Sequence, residues 1–287
     1  MKSGIKYFVD TITSRAYWKY ILFSKSGFAS ILGIFGGIYL VIEALDFFNV
    51  YTRDKYASFA FFIFFALSVL VSIGIRRPIK SISITLPKND ICIEVCIADI
   101  FEINGAAVIS TNSKFEADVS GGKIATDSLQ GQFTAKYFTG NQIELITKIE
   151  EELSEIQGSI PYPMGTTVPI STHGKMFYFT VMADLNEHGN AITTIEKVKS
   201  SLDGLWNYVR ESGELQELVI PVIGTGRGRL KTSRKRMITL IAESFMKSSE
   251  QNKATEKLVI VIRPEDAKNF EVNLYDIKDN LNHILLS

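Results

Sequence analysis

Cysteine and histidine are scarce, at two and three among 287 residues. Cys92 and Cys96 lie four apart in a segment that reads as a strand, so they share a face and are most simply small buried hydrophobes. The histidines are scattered, which excludes a Cys/His zinc site, and no metal is expected. Net charge is absent too, with 31 Lys and Arg against 31 Asp and Glu. Without a long basic face, nucleic acid is not an expected partner. No Ser–His–Asp order, paired carboxylates, internal repeat or low-complexity tract is readable, and the cysteine usage fits a reducing compartment. His173, beside Gly174, reads as a turn residue and not a catalyst.

Apolar residues, by contrast, are concentrated near the start. Gly27 to Phe48 is almost continuously apolar, and so is Ala57 to Ile75, with a short polar connection at Asn49–Tyr56. As helices they reach about 28–33 Å, enough to cross a bilayer as a two-helix hairpin. A cleaved signal peptide is excluded because the first run begins late and a second follows it. The alternative is a core hairpin of a soluble protein, but Ala57–Ile75 has no polar face to turn toward water. Lys2, Lys6, Arg15, Lys19 and Lys25 precede the first run, and Arg76, Arg77 and Lys80 follow the second. The connection holds only Arg53 and Lys55, so both termini are expected in the cytoplasm, below the cell inner membrane. Residues 3–20 have helical apolar spacing and are expected to lie on the inner surface. Glu43 and Asp46 admit two readings, an interfacial pair reaching outside water or a cation-attracting ring in an assembly of copies. The expected divisions are a cytoplasmic amphipathic segment (1–26), the transmembrane hairpin (27–80) and a ligand-binding domain (81–287).

Beyond Lys80 strands and helices alternate. Ser81–Leu86, Ile91–Ile97, Ala106–Ser110, Thr166–Ile170, Lys175–Ala183, Leu218–Ile223 and Lys257–Ile262 read as strands. Gln142–Ile156, Thr193–Arg210, a segment capped by Thr232 or Ser233 that runs to about Lys247, and Pro264–Leu286 read as helices. The fold class is therefore α/β, a three-layer α/β/α domain around a mixed sheet.

In such sheets ligands sit beyond the carboxyl ends of the strands. The strand ending at Ile223 runs into Gly224, Thr225, Gly226, Arg227, Gly228 and Arg229. A loop of glycines lets backbone N–H groups approach an anion, and the helix after it adds a positive dipole end. Arg227 and Arg229 can add charge-assisted bonds to phosphates, or to the carboxylate of an amino-acid conjugate. Asp99 offers acceptors for an adenine amine beside Ile100, and Asn112 an amide for ribose hydroxyls. Gly121, Gly122 and Lys123 can grip a diphosphate from the other side. Each has an ordinary use as well: Asp99 to cap a turn, Asn112 to hold a left-handed loop residue, Gly224–Arg229 as a tight strand-to-helix turn. Asp118 and Asp127 read as solvated loop acids.

Four stretches in order, Ala98-Asp99-Ile100, Ala107–Asn112, Gly121-Gly122 and Pro221–Gly228, resemble the signatures of a macro domain, over about residues 90–265. That family binds ADP-ribose and its relatives. The resemblance implies that Asp99 and the Ile100 backbone contact adenine, Asn112 the distal ribose, and the two glycine loops the diphosphate. A hairpin followed by a divergent macro domain is similar in layout to the membrane-bound effectors of the type II Thoeris antiphage system. By that likeness the ligand is an ADP-ribose derivative, histidine-ADP-ribose, made by a partner TIR-domain enzyme. Hydrolytic macro domains carry an asparagine where Ser110 stands and an uninterrupted glycine loop where Lys114–Ser120 intervenes, and Arg227 replaces a usual aromatic. The expectation is thus a ligand-sensing effector without a cofactor, acting on the lipid bilayer as a homo-oligomer. Two alternatives are a membrane-anchored ADP-ribosylhydrolase and a receptor for which the hairpin is only an anchor.

Overall fold

The computed structural model describes residues 9, 11–50, 57–156, 158–214, 216–224, 230–250 and 252–286. The expected surface helix at residues 3–20 and the connection 49–56 therefore lie partly outside the described residues. Two compact units are present, one of residues 1–79 and 266–276, the other of residues 80–265 and 277–287.

In the first unit, α1 (Arg15–Phe23) is followed directly by α2 (Lys25–Phe47) and then α3 (Ala57–Ile75). Ser24 breaks the helix with extended backbone, and its side chain accepts from the Gly27 N–H at 2.9 Å. The chain folds back so closely here that a Cβ on Gly27 would lie 2.2 Å from the Ile21 carbonyl. Helix α2 is long and apolar enough to cross a membrane, with mean hydropathy 2.0 in its most apolar window, of which 6% is buried. Helix α3 is a shorter apolar helix over its fully described part, Phe59–Ile75. The two pack side by side, with Phe35 edge-on to Phe61 at 5.5 Å. Ser68 and Ser72 are fully buried, and each hydroxyl is engaged: Ser68 donates to the Phe64 carbonyl and Ser72 to Ser30 Oγ. A serine that donates to the carbonyl four residues back removes its own polarity from an apolar surface.

In the second unit, seven strands form one mixed sheet in the order β1 (Ser81–Leu86), β2 (Ile91–Ile97), β8 (Lys257–Ile262), β7 (Leu218–Pro221), β3 (Ala106–Asn112), β5 (Lys175–Leu185), β4 (Thr167–Thr172). The five inner strands run parallel, while β1 and β4 are antiparallel edges and the short β6 (Ala191–Ile192) pairs with the end of β5. Inner strands covered on both faces need continuous apolar runs, which Lys257–Ile262 and Leu218–Pro221 supply. On one face lie α4 (Leu129–Tyr137) and α5 (Gln142–Ser154), which bring Phe133, Leu145 and Ile149 into a core with Ile109, Phe177 and Phe179. On the other, α6 (Ile195–Ser212) and α7 (Arg234–Ser248) pack together, with Trp206 against Phe245 at 5.5 Å. Burial of these side chains, at about 25 cal/mol per Å² of apolar surface, is the main force holding the layers.

The expected last helix, Pro264–Leu286, is instead two, α8 (Pro264–Asn269) and α9 (Leu274–Leu285), parted at Glu271 with φ 47°. Helix α4 has no counterpart among the helices expected from the sequence. Cys96 is buried, and burial pushes its thiol up to about 11; Cys92 is half-buried with its sulfur 3.0 Å from Ser83 Oγ.

Candidate functional site

The carboxyl ends of β2, β8, β7 and β3 form one edge of the sheet, and of the residues expected to bind ligand Asp99, Ile100, Asn112, Ile223 and Gly224 end or closely follow these strands. Strands β8 and β7 separate β2 from β3. At about 4.8 Å per strand, the end of β2 and the end of β3 are roughly 14 Å apart. This is the scale of a dinucleotide-like ligand.

Asp99 follows β2, which is fixed to β8 by the Ala98 N–H bond to the Ile262 carbonyl, 3.1 Å. The Asp99 side chain is exposed, and its Oδ1 accepts from the Phe101 N–H at 3.0 Å, capping the 3-10 turn Ile100–Glu102. The capping use is therefore observed, and it leaves Oδ2 as the second acceptor of the carboxylate. Ile100 and Phe101 are buried beneath the turn.

Asn112 ends β3 at a register shift and is 5% exposed. Its Oδ1 accepts from the Lys114 and Glu116 N–H groups at 3.0 and 3.2 Å. The loop it holds contains Phe115 at φ 52°. The holding of a left-handed residue is thus observed as well. The Asn112 acceptor is committed within the chain, and Nδ2 is the polar atom left to donate.

Gly121, Gly122 and Lys123 lie exposed on the long connection after β3. The Gly121 N–H donates to Asp118 Oδ1 at 2.6 Å, and the Gly122 N–H to the Val119 carbonyl at 3.1 Å. Gln142 Nε2 also donates to Asp118 Oδ1, at 3.1 Å, and Gln142 Oε1 accepts from both the N–H and the hydroxyl of Ser120. The Gly121 bond first, and Gln142 second, hold the Asp118 carboxyl below the usual carboxylate range. Lys123 pairs with Glu116 at 3.0 Å, which raises its pKa. Both glycine donors are thus occupied inside the turn.

Ile223 is buried, and Gly224 sits at φ +73°, where a Cβ would lie 2.6 Å from Leu230 Cδ1. The Leu230 N–H donates to the Gly224 carbonyl at 3.0 Å, closing the neck of the loop between them. Thr225, Gly226, Arg227, Gly228 and Arg229 lie outside the described residues. Beyond the neck, Ser233 and not Thr232 caps α7, accepting from the Arg236 N–H at 3.2 Å.

Two features of this edge escaped the sequence. Thr232 Oγ1 is buried without a hydrogen-bond partner among the described residues. An orphaned hydroxyl costs about 1–3 kcal/mol, so one next to a glycine loop is a place where a ligand acceptor would be stabilising. At the end of β5, Asp184 pairs with Lys197 at 2.5 Å, and Lys197 holds the Asp184 carboxyl below its ordinary value. No local spacing announces a contact between a strand end and the first turn of the next helix.

Compared with known proteins, residues 93–263 match the family model described as the Thoeris protein ThsA, macro domain. The chain belongs to that family. It is similar to the Thoeris protein ThsA of Bacillus amyloliquefaciens (strain Y2), 24% identical over 224 residues, covering 74% of this chain and 75% of that one. Among solved structures it is similar to the Oceanobacillus iheyensis macrodomain with ADP, at TM-score 0.51 and 14% identity over 72% of this chain and 97% of that one. A mutant of the same macrodomain with ADPR gives TM-score 0.50 and 14% identity, over 71% of this chain and 99% of that one. These last two likenesses show the macro-domain fold, and with it the mixed α/β sheet. The ThsA model covers β3, β5, β7 and β8 and all of β2 but its first two residues, so the edge described above falls within the family match.

Proposed function

We propose that this protein is an antiphage defence effector whose macro domain binds an ADP-ribose-derived messenger along the carboxyl edge of its sheet. The observation that carries this is the placement of Asp99, Asn112 and Gly224 at or just after the ends of β2, β3 and β7, in the order of the family's signatures. In this reading Asp99 and Ile100 take the adenine, Asn112 Nδ2 the distal ribose, and the glycine loops with Thr232, Arg227 and Arg229 the diphosphate. Gly121 contributes its N–H once Asp118 gives it up. The messenger is histidine-ADP-ribose, supplied by a TIR-domain partner.

The signal then passes to the hairpin, in which α2 and α3 both span the inner membrane with the two termini in the cytoplasm. Copies assemble, the hairpins rearrange and the bilayer is breached. A ligand shifts such an equilibrium only by its unequal affinity for the two states. The reading is of sensing without turnover, supported by Ser110 where hydrolytic relatives have asparagine.

Dye-filled liposomes carrying the full chain test this. Histidine-ADP-ribose is expected to release the dye, and its omission to leave the vesicles sealed. Saturable binding with no release would reduce the protein to an anchored receptor.

A further inference from the structure

Lys175, the first residue of β5, has its Nζ 2.6 Å from the Ile103 carbonyl oxygen, 3.2 Å from that of Ile100 and 3.4 Å from that of Phe101. An ammonium carries three hydrogens, and here all three serve one turn. The group is half-buried beside the Phe177 ring, 5.6 Å from its centroid. Burial holds its pKa below the ordinary lysine value, Lys136 pushes the same way, and Asp99 opposes both.

Desolvating an ammonium is costly, and its bonds to three carbonyls of this partly buried turn offset that cost. The turn Ile100–Glu102 is capped at its start by the Asp99 carboxylate and clamped past its end by the Lys175 ammonium. The carboxylate holds an N–H of the turn and the ammonium holds three of its carbonyls, so the two groups immobilise it together. The residue this fixes most directly is Asp99, whose Oδ1 is tied into the turn, leaving Oδ2 as its second acceptor.

We propose that Lys175 is the positioning residue for base recognition: it locks the 99–103 turn so that Asp99 presents its second oxygen to the exocyclic amine of an adenine. This rests on the assignment of Asp99 to adenine given above. Lys175 touches no ligand itself.

The test uses the full chain in detergent micelles, titrated with ADP-ribose and with its hypoxanthine counterpart, in which the amine is replaced by a carbonyl. The unsubstituted chain is expected to prefer ADP-ribose by at least about tenfold, because a carboxylate facing a carbonyl leaves both unpaired. Asp99→Asn, which can accept from one base or donate to the other, is expected to erase the preference. Lys175→Met is expected to cut it to less than about threefold by weakening ADP-ribose alone, and Lys175→Arg to restore most of it. A purely structural lysine would weaken both ligands alike, so a preference that survives Lys175→Met overturns the proposal. Should that variant fail to fold, Lys175→Gln, which keeps a donor, carries the same test. If the unsubstituted chain shows no preference, or Asp99→Asn keeps it, the adenine assignment is wrong and the proposal falls with it.

Discussion

Tyr275 donates its hydroxyl to the Arg77 carbonyl at 2.9 Å, across 198 positions of chain. Its ring stacks on Tyr20 at 5.8 Å, and the Tyr20 hydroxyl receives Arg76 Nη1 at 2.6 Å. Arg76 Nη2 also donates to the Ser26 carbonyl at 2.9 Å, and Tyr17 to the Arg76 carbonyl at 3.1 Å. Residues 266–276 thereby group with the base of the hairpin, although in the chain they come shortly after β8, which ends beside Asp99.

Under the proposed function, Tyr275 ties the segment that follows β8 to the end of the hairpin through the Arg77 carbonyl. Tyr275→Phe keeps the ring stack and removes one hydrogen bond, worth about 0.5–1.5 kcal/mol. The expected outcome is ADP-ribose affinity within about twofold of the unsubstituted chain, with dye release reduced several-fold. Calorimetry and vesicle leakage on the same preparation check it. A parallel fall in both would place Tyr275 in folding and not in transmission.

Asn112 separates binding from stability. Asn112→Ala leaves the Lys114 and Glu116 N–H groups without their acceptor and is expected to destabilise the domain by about 1–3 kcal/mol. Asn112→Asp retains the acceptor and replaces the Nδ2 donor with a carboxylate oxygen. Its thermal unfolding is expected to stay near that of the unsubstituted chain while ADP-ribose affinity falls about tenfold or more.

Under the proposed function, Asp118 competes with the ligand for the Gly121 N–H. Its carboxyl is held below the ordinary value by Gly121 and Gln142. A carboxyl lowered on folding contributes fully above its unfolded pKa and loses that contribution as pH falls through the lowered one. The turn is therefore closed at neutral pH. Asp118→Ala frees the Gly121 N–H and removes a negative charge from the path of a diphosphate, so ADP-ribose affinity is expected to rise several-fold. Weaker binding would show that Asp118 preorganises the turn instead.

Gly204, in the middle of α6, meets Gly165 so closely that a Cβ on it would lie 2.7 Å from the Gly165 Cα. Backbone faces backbone there, with no flexible side chain to yield. Gly204→Ala is expected to cost about 1–3 kcal/mol of stability despite its better helix propensity, read from denaturant unfolding.

Much of this fold is legible in the chain because periodicity and turn chemistry agree locally. β2 and β8 fall at their expected bounds, and the turn at His173-Gly174 has both residues at positive φ. Helix α4 is hidden because it is short and buries polar residues beside its narrow apolar stripe of Leu129, Phe133 and Tyr137: Gln130 donates to the Glu116 carbonyl and Thr134 to the Gln130 carbonyl. The break at Glu271 is hidden because no glycine marks it. At the site, the positions of Asp99 and Asn112 at strand ends could be read, but not what their side chains already hold. The Asp118–Gln142 and Lys175–Ile103 contacts span 24 and 72 positions, which only the folded chain brings together.

Titration of ADP-ribose into the full chain in micelles, beside Gly226→Glu, tests the central claim most directly. Saturable single-site heat is predicted for the unsubstituted chain and none for the variant, whose added carboxylate carries the same sign of charge as a diphosphate. Absence of heat in the former, or equal heat in both, would contradict the account.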